Sequence, residues 1–268
     1  MTEISGQGRF KRMSYFKMTI KFIGKVVAAS AVLLFLYINE TSGQTYNEYM
    51  ALGDSLYAIY DYPGSVREYE AACEADSRKF EVFHKLARSL NLEGELAPSD
   101  SQLAIFERAR DAAMRALELG EGNADAHFQL ARALGKIALY KGVFKSVSLA
   151  KQVREQCLRA LELDSLHDGA WHILARWNRE VGKKPKIFRV PLGLGAANKD
   201  DAINYMKKAI EINPNNLHHH LEMGNTYRRF KMNDLAIEEY RKCLNLPYEG
   251  PLDEKYRSEA KKYLAEMD

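Results

Sequence analysis

Met223-Gly224-x2-Tyr227-x8-Ala236-x3-Tyr240-x2-Cys243 is the stretch from which the rest of the chain can be read. Met223 and Tyr227 stand one turn apart on one helix face, and Gly224 beside them lets a second helix approach closely. Ala236, Tyr240 and Cys243, at i, i+4 and i+7, give that second helix an apolar stripe. Phe230–Asp234 between them reads as a tight turn in which Asn233 or Asp234 caps the second helix. The product is a helical hairpin of about 34 residues, including its link to the next.

The same phases recur four times upstream. A first unit begins near Tyr46 with Leu52-Gly53-x2-Leu56 and then Tyr69-x2-Ala72. A second begins near Phe80 with Phe83, Leu86, Ala87 and Leu90, followed by Ala109, Ala113 and Ala116. The third begins near Ala124 with His127, Leu130, Ala131 and Leu134, then Val153, Cys157 and Ala160. The fourth carries Trp171, Leu174, Ala175 and Asn178, then Ala202, Met206, Ala209 and Pro214. The three middle units are about ten to fifteen residues longer than the basic period. In the second, the excess around Glu93–Ser101 reads as a polar loop; in the third, the segment around Phe144 reads as a lengthened helix pair. Arg115–Leu119, Arg159–Leu163 and Lys208–Ile212 all spell basic-Ala-aliphatic-Glu-aliphatic at one phase, an internal check on the repeat. These residues resemble the tetratricopeptide repeat. The resemblance implies an all-α, right-handed solenoid of about five helical hairpins, elongated because each unit touches only its neighbours. A helix over Asp253–Met267, with Tyr256, Ala260, Tyr263 and Leu264 on one side, is expected to cap its open end.

Residues 1–43 stand outside this pattern. Arg9, Lys11, Arg12, Lys17, Lys21 and Lys25 precede the apolar run Val26–Ile38, and the small residues Ser42-Gly43 follow. Basic, apolar, small is the order of an export signal, and the run is 13 residues where a membrane span takes about 20. Cleavage after Gly43 and a periplasmic location are therefore expected, with retention as an anchor through residues 20–38 as the alternative. The division is then a leader over 1–43 and a repeat domain over 44–268. Without the leader, 33 basic and 34 acidic residues remain, so the chain's formal +3 becomes −1 and no broad field favours nucleic acid.

No catalytic or metal constellation emerges. His218-His219-His220 are adjacent, and neighbouring helical residues point about 100° apart, so they do not converge on one ion; only His218 and Glu222 share a face. His220 and His127 fall at inward positions of their units. Gly193-Leu194-Gly195 follows no strand and makes no nucleotide loop. The three cysteines include no CxxC and read as core residues. The expectation is a non-enzymatic protein with no cofactor and no metal.

Two features point to binding. Ala87-Arg88, Ala131-Arg132 and Ala175-Arg176 recur at one phase, so the arginines form either a ladder for an acidic partner segment or ordinary salt bridges between hairpins. In the fifth unit, Asn225 and Arg228 are polar positions that alternate with the packed face, and Arg229 is a further candidate. The fourth-unit insertion Lys183–Gly195 mixes basic and large apolar residues and holds no acid. Either Ile187, Phe188, Val190 and Leu192 tuck between hairpins, or Lys186, Phe188 and Arg189 belong to an exposed element that meets a partner or an anionic lipid surface.

The lengthened units, the helix Trp171-His172-Ile173-Leu174-Ala175-Arg176-Trp177, the pair Lys183-Lys184 and the Leu-Gly segment after it are similar to the regulator of microtubule dynamics family, from about Ala124 to the end. For animal members, this resemblance implies helical-repeat proteins that associate with microtubules or organelles through protein contacts. The expected function is an exported scaffold that holds a protein or peptide along its concave face. A lipid or small-molecule carrier built from the groove and the insertion is the alternative.

Overall fold

The apolar phases fold as helical pairs. The computed structural model describes residues 45–267 apart from Gly142; the expected leader, and the side chains of 143–145 with Phe144 among them, lie outside the described residues. The helices are α1 (Tyr46–Ala58), α2 (Tyr62–Ala75), α3 (Phe80–Leu96), α4 (Gln102–Leu119), α5 (Ala124–Ala138), α6 (Val143–Leu163), α7 (Asp168–Val181), α8 (Lys186–Arg189), α9 (Lys199–Ile212), α10 (Leu217–Arg229), α11 (Asn233–Asn245) and α12 (Gly250–Ala265). A 3₁₀ turn, Val190–Leu192, follows α8. No strand occurs among the described residues.

The expected core positions of every second helix are buried: Tyr69 and Ala72, Ala109 and Ala113, Val153 and Cys157, Ala202 and Met206, Tyr240 and Cys243. In the first and last hairpins the packing is the same down to single contacts. A Cβ on Gly53 would lie 2.6 Å from the Tyr69 ring, and one on Gly224 would collide with the Tyr240 ring. Tyr69 donates its hydroxyl to Asp54 at 2.7 Å, and Tyr240 donates to Asn225 at 2.9 Å. Asn225 is thus spent inside its own hairpin. Tyr60 and Lys231 turn the two hairpins with φ of 66° and 60°. That left-handed residue, rather than a side-chain cap from Asn233 or Asp234, makes the last turn: α11 starts from Met232 with no side-chain cap.

The recurring helix endings also have a local cause. Arg115 pairs with Glu118 at 2.9 Å, Arg159 with Glu162 at 2.9 Å and Lys208 with Glu211 at 3.1 Å, each one turn along the last stretch of its helix. His127 and His220 tie first helices down alike: each has Nε2 near a carbonyl of the preceding link, Glu121 at 3.1 Å and Pro214 at 2.9 Å. Their Nδ1 atoms meet Gln156 at 2.6 Å and Glu239 at 2.7 Å on the partner helix.

Two expectations are corrected and one open alternative is decided. Glu93–Leu96 continue α3 rather than forming a polar loop, with Gly94 seated against the Phe106 ring and Glu95 buried. In the insertion the exposed alternative holds: Ile187, Phe188, Val190 and Leu192 stand outside, and Leu194 and Ala197 fill the core. And α12 is more than an end cap. It packs on α10 and α11 but also reaches α3, across the array. The link before it meets the first hairpin, where Tyr60 donates to Glu249 at 3.2 Å. Gly250, at φ 81°, passes so close to the Tyr60 ring that a Cβ would lie 2.8 Å away. The two ends of the array therefore touch.

Gly224→Ala should destabilise the protein. Overpacking against Tyr240 costs about 1–3 kcal/mol, which outweighs the roughly 1 kcal/mol of helix propensity that alanine gains. Urea denaturation followed by circular dichroism reads the difference, and a neutral or stabilising result would refute the close-approach argument.

Candidate interaction groove

The first helices of units two to five, α3, α5, α7 and α10, turn a charged face toward α12. Glu95 of α3 meets Lys136 of α5 at 2.6 Å and Arg132 at 3.6 Å. Glu222 of α10 meets Arg179 of α7 at 2.6 Å and Arg176 at 3.6 Å. Arg179 also donates to the Glu222 carbonyl at 3.2 Å and to Thr226 Oγ1 at 3.3 Å. Both carboxylates are buried, each residue only 7% exposed, so neither would keep its charge without these partners.

Helix α12 lies over this face. Tyr256 stacks on His218 with ring centroids 4.1 Å apart and planes at 5°. Lys255 donates to the Glu95 carbonyl at 2.6 Å and stands 3.7 Å from its carboxylate. At the far end of α12, Glu266 pairs with Arg228 at 2.9 Å, and the Arg228 guanidinium sits 4.0 Å from the Tyr263 ring centroid.

Burial and charge set the protonation states. Desolvation works to raise the Glu222 carboxyl, but the Arg176 and Arg179 guanidiniums outweigh it and hold the group well below the usual carboxylate range. Glu95 is likewise held low against its burial, by Lys136 and Arg132. Burial pushes His218 down to about 4 and His172 well below the ordinary imidazole value. His172 Nδ1 lies 2.8 Å from His219 Nδ1, and His219 Nε2 lies 3.0 Å from Asp168. Burial thus keeps His172 neutral in this pair.

Of the two alternatives for the recurring arginines, a ladder or salt bridges between hairpins, Arg132 and Arg176 follow the second and Arg88 neither. Arg132 and Arg176 make the cross-helix ion pairs above, whereas Arg88 stacks 3.9 Å above the Tyr57 ring. Arg229 is exposed. Arg189 is turned inward onto its own loop, bonded to the carbonyls of Lys184, Leu194 and Ala197 at 2.7, 3.2 and 2.6 Å. Lys186 and Phe188 remain at the surface. Lys136, Arg179, Lys255 and Tyr256 complete the groove and carry no repeat signature; Arg179 had one local signal, a cation one turn after Arg176 on a helix with an apolar face. His218 and Glu222 do share a face, with 3.8 Å between His218 Nε2 and the carboxylate, but that carboxylate is engaged by arginine. Among the described residues, no group of three or more His, Cys, Asp and Glu side chains could hold a metal ion. Burial raises the thiols of Cys73 and Cys243, to about 12 and about 11, and all three cysteines are free.

The architecture is that of a tetratricopeptide-like helical array. It superposes on a thermophilic TPR protein of Thermus thermophilus with a TM-score of 0.62 at 15% identity, covering 82% of this chain and 100% of the other. Residues 50–268 match the family model described as regulator of microtubule dynamics protein 1-3, and the chain belongs to that family. It is 24% identical to regulator of microtubule dynamics protein 1 of Bos taurus, over 97% of this chain and 84% of the bovine one. The corresponding protein of Mus musculus is 26% identical over 70% of this chain and 65% of its own length. The family match starts well before Ala124, because units one and two belong to it without the insertion or the tryptophan-rich helix that mark unit four. Fold and family together point to a non-catalytic repeat protein of the interaction-scaffold kind.

Two measurements check the groove. Arg179→Met should cost about 3 kcal/mol, since it removes the shortest partner of the buried Glu222 carboxylate and leaves it only the longer Arg176 contact, while Arg228→Ala, at an exposed pair, should cost no more than about 1 kcal/mol. Urea midpoints give both, and Arg179→Met with Glu222→Met should recover most of the first loss. The second check is pH. Unfolded histidine binds its proton below about pH 6.5, whereas His218 in the fold binds it only near 4. The unfolded chain therefore takes up more protons in that window, and stability falls as pH drops through it. His218→Phe, which keeps the stack on Tyr256, should flatten the decline in a series of urea titrations.

Proposed function

We propose that this protein is a non-enzymatic adaptor that holds a segment of a partner protein along the face formed by α3, α5, α7 and α10, and that α12 occupies the face until the partner arrives. One observation carries the reading: a helix already lies there, anchored by one aromatic plug, Tyr256, and one cation, Lys255, over a charged lining that an ordinary core would not have. Arg132, Lys136, Arg176 and Arg179 outnumber Glu95 and Glu222 on that lining, so the segment that replaces α12 is acidic and presents an aromatic side chain. The ionic lining also argues against the carrier alternative, which needs an apolar cavity for a lipid. The basic–apolar–small order of residues 1–43 supports an exported, periplasmic setting, with anchoring through residues 20–38 as the other outcome. In that setting the partner is an envelope protein rather than a microtubule.

The test is a crosslinked pull-down from the envelope fraction with the wild-type chain, Tyr256→Ala, and Tyr256→Ala combined with Arg132→Ala and Arg176→Ala. Opening the groove should raise capture, and removing the two arginines should lower affinity about tenfold or more. A synthetic peptide of residues 248–268 should compete the captured protein away. Capture that is indifferent to all three changes and to the peptide would sink the proposal, as would arginine variants that lose thermal stability and binding in equal measure.

A further inference from the structure

The connection between α7 and α9 exposes four large apolar side chains within six residues. Ile187 is 75% exposed, Phe188 65%, Val190 53% and Leu192 41%. Among the described residues no other stretch of that length shows as many exposed large apolar side chains. The display is built rather than slack. Arg189 turns its guanidinium into the loop and bonds the carbonyls of Lys184, Leu194 and Ala197, while Leu194 returns a backbone bond to Arg189 at 2.9 Å. Leu194 and Ala197 are buried beneath, and Asn178 of α7 accepts from the Asn198 amide at 3.0 Å. A buried cation is thus used to hold the backbone of a short helical turn whose apolar side chains face water.

Within the tip itself the charge has one sign, with Glu180 before it and Asp200 and Asp201 after it. From Val181 to Lys199 there is no acidic residue, while Lys184, Lys186 and Lys199 line its edges; Lys183 is paired with Glu180. Long lysine stems beside aliphatic and phenyl groups suit a boundary where apolar side chains enter an acyl layer and ammonium groups stay among phosphates. A protein partner of matching chemistry would need an acidic rim around an apolar hollow, while an anionic bilayer offers both over any area. We propose that the Lys183–Gly195 turn is a membrane-docking tip that inserts Ile187, Phe188, Val190 and Leu192 into the interface of an anionic lipid surface. The inference is independent of the groove: none of these side chains contributes to the ion pairs beneath α12.

The tip itself can be read with Phe188→Trp in the full chain, mixed with vesicles of phosphatidylcholine plus phosphatidylglycerol or of phosphatidylcholine alone. The added tryptophan should shift blue and be quenched by bromine-labelled acyl chains on the anionic vesicles, beyond the signal of Trp171 and Trp177 in the wild type. Lys184→Gln and Lys186→Gln should each lower partition into anionic vesicles by about fivefold, with an effect that fades at high salt. Circular dichroism melts should not move, because the substituted side chains are exposed. Absence of added quenching would overturn the proposal even if the whole chain sediments with vesicles through its N-terminus. Quenching that is equal on both vesicle types would overturn the anionic requirement. A photocrosslinker at position 188 that yields a stoichiometric protein adduct, with no quenching, would assign the tip to a protein partner instead.

Discussion

Each hairpin closes where a small residue on one helix gives way to a large ring or an aliphatic stripe on the other. Gly224 against Tyr240 and Gly53 against Tyr69 are the plain cases, and the alanines at 87, 131 and 175 do the same in the middle units with no exposed surface at all. Helices that approach this closely bury their shared stripe completely, so the pairing geometry is fixed before any contact between units is made. The positions that can vary are those pointing to the inner and outer faces. Everything that distinguishes this array from a generic one, including the charged lining, the insertion and the terminal helix, lies on those faces.

The inner face illustrates a second constraint. Buried ion pairs give little net stability compared with an apolar core, yet losing one partner is costly. Glu95 and Glu222 each sit among cations contributed by a neighbouring unit, so adjacent hairpins are held in register by charge as well as by packing. Placing α12 over these groups removes water from them and strengthens the pairs, while Tyr256 supplies the apolar cover. The same arrangement makes the face chemically demanding for a replacement: it must satisfy the charges that α12 leaves behind.

Most of the hairpins could be read from spacing alone, because a 3.6-residue period and a small residue at a fixed phase are local properties of the chain. The inward histidines were legible for the same reason. The continuation of α3 through Glu93–Leu96 was not: Gly94 and a run of polar residues look like a loop until Phe106 is seen to need the space. The insertion could be read either way. Its apolar residues imply burial by composition, but Arg189 occupies the interior of the loop and Leu194 with Ala197 occupies the core, so the remaining side chains have nowhere to go but outward. The recurrence of Ala-Arg was visible, but the differing roles of Arg88, Arg132 and Arg176 depend on which neighbour happens to carry a tyrosine or a glutamate.

By itself, the sequence determined the repeat: helical pairs, their order, their buried stripes and the absence of a recognisable catalytic motif. These follow from periodicity, which acts over a few turns. Only the tertiary structure decided that the two ends of the array touch, that Gly250 passes under Tyr60, and that α12 spans from α10 to α3. Those contacts join residues as far apart as Glu95 and Lys255, and their existence depends on the small rotation between successive hairpins summed over the whole stack. No local pattern encodes that sum, so neither the occupied groove nor its charged lining could be placed until the array was closed.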